Sequence, residues 1–221
     1  MLLKDTIKNI DFFEELTEEQ IQTLSEFSNV STYPEKSILY YESDINNKLL
    51  FLVKGLIKIY KVDKFGNEIF LYHIYKNSMI SELSSLNSSE IHCFSNAEFT
   101  EDSTVLSIDF EKFKEHFLDK NILTSKLIEV LLNKSQQFQC IINRELVFDA
   151  TAKVAFMLAQ DLDMFNKLKR QEVSFMLHIQ PETLSRVLKR LSRSGTISIQ
   201  SSKVTILNKE ELVSMFKGVG V

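Results

Sequence analysis

The sequence predicts an α+β fold in which a β-rich N-terminal part, one long helix and a helical C-terminal part follow one another. Residues 30–108 contain short apolar segments separated by turn residues. Residues 121–143 carry apolar side chains at helical spacing. Two short helices and two short strands are predicted from residue 170 onward. A chain of 221 residues with 44% hydrophobic and 25% charged residues has room for two small domains.

The N-terminal part is predicted to begin with a helix and to continue as strands. Apolar residues at helical spacing indicate a helix over residues 11–28, in which residues 17–20 form a capping box. Alternating or continuous apolar segments predict strands at 37–41, 49–53, 56–62, 68–75, 92–99 and 104–108, with a hairpin turn at 63–67. Short strands at this regular spacing favour a sandwich or a barrel.

The helix predicted over residues 121–143 carries two adjacent apolar stripes. A helix of this kind can pack on its own β domain and on a second copy of itself. We therefore expect a homodimer whose interface contains Leu127, Leu131, Phe138, Ile141 and Ile142. A helix that packs only within its own chain is the alternative.

The C-terminal part is predicted to contain a helix over residues 149–165 and, after it, a winged helix-turn-helix. A first helix over residues 170–177 is followed by the turn 178–180 and by a second helix that starts at Pro181, where proline costs no hydrogen bond. Gly195 ends that second helix. Residues 197–199 and 204–206 alternate around a polar turn and form a small wing.

The second helix has a polar outer face whose chemistry suits the major groove of double-stranded DNA. Arg186 can donate two hydrogen bonds to guanine, Glu182 can accept one from cytosine, and Ser185 is short enough to touch a base edge between them. Glu182 and Arg186 are four residues apart and are expected to orient each other. We expect backbone contacts from Gln180, Thr183, Lys189, Arg190, Arg193 and Lys203. A solvated charged helix is the alternative.

Charge, cysteines and hydropathy agree with a DNA-binding protein of the cytoplasm. Residues 1–143 carry a net charge of −8 and residues 144–221 carry +4, which fits an acidic sensor joined to a basic DNA-binding part. The two cysteines, Cys93 and Cys140, are too few for a disulfide framework. The longest apolar run, residues 49–53, cannot span a bilayer, and the N-terminus lacks a signal-peptide layout. We expect no membrane contact.

The chain resembles the CRP/FNR family of bacterial regulators over nearly its whole length. The resemblance rests on residues 12–17, 33–39, 51–60 and 66–68, and most specifically on residues 184–191 through Gly195 and Ile197. It implies a β-roll sensor, which is a double-stranded β-helix or cupin-like jelly roll, over residues 1–118. It further implies a dimerisation helix over 119–145 and a winged helix-turn-helix over 146–221.

The resemblance also implies a function. It implies a transcription regulator and not an enzyme, and an activator that has RNA polymerase as a partner. The arrangement of Glu182, Ser185 and Arg186 is similar to that of the FNR-like branch, which implies a TTGAT-like half-site. A two-fold dimer requires that half-site to be repeated as an inverted palindrome.

The chain departs from the family pattern where a signal would bind. Glu82 is kept, but residues 91–94 stand where a phosphate-binding arginine is expected, and no arginine occurs in residues 1–143. We therefore reject cyclic AMP as effector, and we reject an iron–sulfur cluster because no cysteine precedes Cys93. Haem is left open, with His73, His92 and His116 as the available imidazoles, as is oxidation of Cys140. The effector is otherwise unknown.

The chain also departs from the family pattern in the helix-turn-helix, where His178 replaces the glycine that is usual in the turn.

Two alternatives to a DNA-binding function remain. A β-roll can be a cupin-like metal- or ligand-binding protein that does not act on DNA, but His73 and His92 stand apart and form no His-x-His pair. The domain can also be a nucleotide-binding module that regulates a partner protein. The basic face of the second helix argues against that function.

Overall fold

The computed structural model describes residues 3–217 and divides the chain into two compact units, with the division between Gln136 and Gln137. The α+β fold class is confirmed, because a unit built mainly of antiparallel sheets precedes a unit built mainly of helices. Within residues 3–217, no helix combines the length and the apolar content needed to span a bilayer.

The first unit begins with short helices and not with the single helix predicted over 11–28. Helix α1 covers Leu3–Lys8, a 3-10 turn covers Asp11–Phe13, and α2 covers Glu18–Ser25. The expected capping box is present, since the Gln20 backbone amide donates to Thr17 Oγ1 at 3.3 Å and the Thr17 backbone amide donates to Gln20 Oε1 at 2.8 Å. This cap starts a new helix at Glu18, which is why the prediction of one continuous helix was wrong.

Ten strands form the body of the first unit within the described residues 3–136. They are β1 Ser28–Tyr33, β2 Ile38–Tyr40, β3 Ile45–Asn46, β4 Lys48–Lys54, β5 Leu56–Val62, β6 Glu68–Tyr75, β7 Ser78–Met79, β8 Ile91–His92, β9 Asn96–Phe99 and β10 Ser103–Asp109. One four-stranded antiparallel sheet has the order β1-β10-β4-β7, a second has the order β2-β9-β5-β6, and β3 pairs with β8. The predicted hairpin turn joins β5 to β6, and the Gly66 amide donates to the Asp63 carbonyl at 3.0 Å.

The core of the first unit lies between the short helices, the β4–β10 sheet and the helices that follow β10. Phe13, Phe51 and Phe113 are fully buried there. Helix α3 covers Phe110–Phe113, a single π turn covers Lys114–Leu118, and the long helix α4 covers Thr124–Leu146. Leu127 of α4 belongs to this core.

The second unit contains the end of α4 and the helix-turn-helix. Helix α5 covers Ala150–Gln160, α6 Leu162–Lys167, α7 Arg170–Met176, α8 Pro181–Arg193 and α9 Lys209–Lys217; strands β11 Ile197–Gln200 and β12 Lys203–Ile206 form the wing. The helix predicted over 149–165 is broken at Asp161. Its carboxylate accepts from the Met164 amide at 3.0 Å and so caps a new helix.

Candidate nucleic-acid interface

Helix α8 is held in place by its apolar face. Leu184, Val187, Leu188 and Leu191 are buried, and they recur at the spacing of one helix stripe. Gln180 precedes the helix with extended backbone, and Pro181 occupies the first helical position. Because this stripe is buried, the polar side chains at the intervening positions face away from the core.

The outer face of α8 brings most of the predicted DNA-contacting residues together. Six exposed side chains line one open depression of about 610 Å³; they are Glu182, Ser185, Arg186, Lys189, Arg190 and Arg193. Four of the six are cations, and the acid and the hydroxyl lie toward the N-terminal end of the helix. The arrangement therefore combines groups that can contact base edges with groups that can pair with phosphates.

Two of the arginines have partners that the sequence did not indicate. Arg186 Nη2 donates to Thr183 Oγ1 at 3.2 Å, one turn earlier, and no ion pair joins Glu182 to Arg186 in residues 3–217. The expected mutual orientation of Glu182 and Arg186 is therefore absent, and Arg186 bonds to the Thr183 hydroxyl instead. Arg190 donates to the hydroxyl of Thr151 at the start of α5.

The remaining predicted DNA contacts flank the helix. Gln180 is exposed immediately before its first turn. Lys203 is exposed at the start of β12, where the wing turns back. Both side chains are accessible to a large partner.

The turn between α7 and α8 is held by an ionic cluster. His178 has a φ of 51°, the left-handed conformation that its position in the turn requires. Its Nδ1 lies 2.8 Å from Glu145 Oε2, which also accepts from Lys153 Nζ at 3.0 Å, while Arg144 Nε donates to Glu145 Oε1 at 2.7 Å. Burial of the Glu145 carboxyl acts to raise its pKa, but the hydrogen bonds from these three side chains outweigh burial and lower the pKa to about 2.

In the first unit, Glu82 is the centre of a polar cluster. Its carboxylate accepts from the Phe94 amide at 2.8 Å, from Ser95 Oγ at 3.0 Å and from Tyr72 Oη at 3.2 Å. Burial lowers the pKa of Lys134 on α4 to about 8, and the negative charge of Glu82 partly opposes that shift. Tyr40 Oη is buried without a hydrogen-bond partner among residues 3–217.

The candidate metal and redox residues are dispersed. His73 packs on Phe70 with ring centroids 4.9 Å apart, and His116 stacks on Phe27. His92 is exposed on β8. No group of three His, Cys, Asp or Glu side chains suited to a metal ion occurs in the part of the chain that the structure describes.

The two cysteines lie in different surroundings. Cys93 is buried, and its burial together with the nearby charge of Glu82 raises the pKa of its thiol to about 11, whereas Cys140 is exposed on α4. A raised thiol pKa means that Cys93 is present as the unreactive thiol at neutral pH.

The residues expected at a dimer interface differ in exposure along α4. Leu127 is only 2% exposed and packs in the core of its own unit, so its side chain has little surface left for a partner. Leu131 and Ile141 are half-buried, while Phe138 and Ile142 are 43% and 55% exposed. Ile128 and Leu132, at 53% and 60%, add to the exposed apolar surface of this helix.

Comparison with known proteins assigns a domain type to each of the two parts of the chain. Residues 30–120 match the model of the cyclic nucleotide-binding domain, and residues 152–215 match the model of the Crp-like helix-turn-helix domain. The chain is similar to the cyclic AMP receptor protein of Thermus thermophilus, at 20% identity over 90% of this chain and 94% of that protein. It is also similar to the global nitrogen regulator of Nostoc sp., at 23% identity over 80% and 84% of the two chains.

Solved structures show the same fold. A CooA variant from Carboxydothermus hydrogenoformans superposes with a TM-score of 0.72 at 16% identity, covering 95% of each chain. A domain of the cyclic nucleotide-binding type followed by a Crp-like helix-turn-helix defines a class of transcription regulators and not of enzymes. The chain belongs to the CRP/FNR family of these regulators.

Proposed function

We propose that the chain acts as a homodimer that binds an inverted-repeat operator with TTGAT-like half-sites. In this proposal residues 1–118 sense a signal, 119–145 dimerise and 146–221 bind DNA. The observation that carries it is the outer face of α8, which gathers six polar side chains, four of them cationic, on one open surface. Glu182, Ser185 and Arg186 contact base edges, while Gln180, Thr183, Lys189, Arg190, Arg193 and Lys203 contact the DNA backbone.

Dimerisation is supported by the exposed apolar side chains of α4. Phe138, Ile142 and their exposed neighbours Ile128 and Leu132 expose apolar area on a helix that a second copy can cover. A two-fold axis along such a contact presents two α8 helices to successive turns of DNA, which demands a palindromic site.

The signal is proposed to be sensed in the β-rich part and to be something other than cyclic AMP. Residues 1–143 contain no arginine to pair with a cyclic phosphate, and both Glu82 oxygens already accept hydrogen bonds from the chain itself. Two relatives are named for cyclic AMP and for nitrogen regulation, so relatives with this fold serve different signals. We further propose cytoplasmic action as an activator together with RNA polymerase.

Fluorescence anisotropy on labelled duplexes at several salt concentrations tests the proposal. An inverted repeat of TTGAT-like half-sites should bind more tightly than a duplex with one half-site scrambled, and the binding constant should fall steeply with salt. Lys209→Ala serves as a control, because it removes an exposed cation at the start of α9 that is not among the residues proposed to contact DNA. Equal, weak binding to both duplexes would favour a ligand-binding protein that does not act on DNA.

A further inference from the structure

The wing is a structure that needs support from outside itself. It consists of two strands alone, β11 and β12, and an isolated two-stranded hairpin is marginally stable in water. Its turn residues Ser201 and Ser202 have φ values of 48° and 70°, a conformation that favours glycine or asparagine over serine. Something else in the second unit must therefore hold the hairpin in shape.

Asn166 supplies one part of that support. Its Oδ1 accepts from the Val204 amide at 2.8 Å, and its Nδ2 donates to the Val204 carbonyl at 2.9 Å. Since Val204 bonds to Asn166 with both backbone groups, the side-chain amide occupies the edge of β12 as a third strand would. Asn166 lies on α6, which ties the wing to the helical body of the unit.

Arg170 supplies the other part, at the turn. Its Nη2 donates to the Ser202 carbonyl at 2.5 Å, and its guanidinium lies 4.5 Å from the centroid of the Phe165 ring. Its Nη1 is buried without a partner among residues 3–217. The bond to Ser202 ties the guanidinium to the turn of the wing, and the buried Nη1 atom is not accessible to a phosphate.

We infer that Asn166 and Arg170 are positioning residues for DNA binding, which hold the wing so that Lys203 meets a phosphate beside the half-site. The inference rests on the proposed function, because it concerns the DNA contact of the wing. It differs from that function in assigning a role to two side chains that do not themselves touch DNA.

The salt dependence of operator binding separates positioning from a general structural role. Lys203→Ala removes one phosphate contact, so the negative slope of log K against log salt should become shallower by about one. Asn166→Ala removes no charge, yet it should also make the slope shallower, because a loosened wing withdraws the Lys203 ammonium. The loss of two backbone hydrogen bonds should weaken operator binding on the order of tenfold.

Hydrogen exchange on the whole-chain variants shows whether a loosened wing causes the weaker binding. Amides of residues 197–206 should exchange faster in Asn166→Ala, while those of α8 stay as protected as in the wild type. Asn208→Ala is the matched control, since both hydrogen bonds of its side chain are to Glu211 at the start of α9. Combining Asn166→Ala with Lys203→Ala should cost less affinity than the sum of the two single losses.

The outcomes are separable. An unchanged salt slope in Asn166→Ala, or full additivity with Lys203→Ala, would overturn the inference while leaving the operator-binding function intact. Absence of operator binding by the wild type would overturn both. If Asn166→Ala fails to fold, Arg170→Lys replaces it, because this variant keeps the charge but lacks the planar guanidinium. Its salt slope should also become shallower, and an unchanged slope would likewise refute the inference.

Discussion

Substitution of Glu145 by glutamine should destabilise the second unit in a pH-dependent way. Glu145 accepts hydrogen bonds from His178, Arg144 and Lys153, and the side chain of Lys153 is only 10% exposed. The Gln variant leaves Lys153 without its carboxylate partner. The folded-state pKa of Glu145 is about 2 against an ordinary 4.5, a difference equivalent to about 3.4 kcal/mol at most. Because a quarter of the carboxylate is exposed, we expect about 2 kcal/mol at pH 7.

The sign of the pH dependence follows from the direction of the shift. A carboxylate whose pKa is lower in the folded state contributes its stability above pH 4.5 and loses it as the pH falls toward 2. The wild type should therefore be more stable than Glu145→Gln at neutral pH, and the two should converge near pH 2. Glutamine resembles the protonated acid, which is why the difference should disappear there.

Urea titrations of the full chain at pH 7, 4.5, 3 and 2, with hydrogen exchange reporting on residues 137–217, measure this difference. Glu210→Gln on α9 is the matched control, because that carboxylate is exposed in the same unit. Equal stability of wild type and Glu145→Gln at pH 7 would refute the reasoning. So would a difference that persists unchanged at pH 2.

Four further substitutions probe other parts of the molecule. Arg186→Ala should cost about 1–3 kcal/mol of operator binding and relax the preference at one base pair, whereas Lys189→Ala should weaken all sequences about equally; anisotropy on a panel of operator variants distinguishes them. Ile142→Glu should convert the dimer to monomer in sedimentation velocity, because it places a charge among exposed apolar residues, whereas Asn133→Glu, on the opposite side of α4, should leave the dimer intact. Gly55→Ala should destabilise the first unit by about 2–3 kcal/mol in urea titrations, because Gly55 has a φ of 104° and a Cβ there would lie 2.6 Å from Ser103 Cβ.

The elements that the sequence predicted correctly are those with strong local signals. The second helix of the helix-turn-helix was predicted to start at Pro181, and the structure begins α8 at that residue. The wing strands and the hairpin turn at Asp63 were also predicted correctly, because alternating side chains and turn residues depend on local geometry. Helix ends were less accurate where an unrecognised cap such as Asp161 starts a new helix.

Contacts between distant residues could not be obtained from the pattern. The apolar stripe of α4 does not distinguish a side chain that packs in its own unit, such as Leu127, from one that stays exposed, such as Ile142. The bond from Arg190 to Thr151 joins residues 39 positions apart, and Arg170 reaches Ser202 across 32 positions. Spacing along one helix carries no information about such partners, so these roles required the structure.

Selection of binding sites from random duplexes, sequenced for the wild type and for Arg186→Ala, tests the central claim most directly. The claim is that α8 contacts bases as part of a two-fold dimer. The wild type should select an inverted repeat with a G·C pair preferred at one position in each half-site, and Arg186→Ala should keep the repeat while losing that preference. A selected motif without two-fold symmetry, or a G·C preference that survives in Arg186→Ala, would contradict the claim.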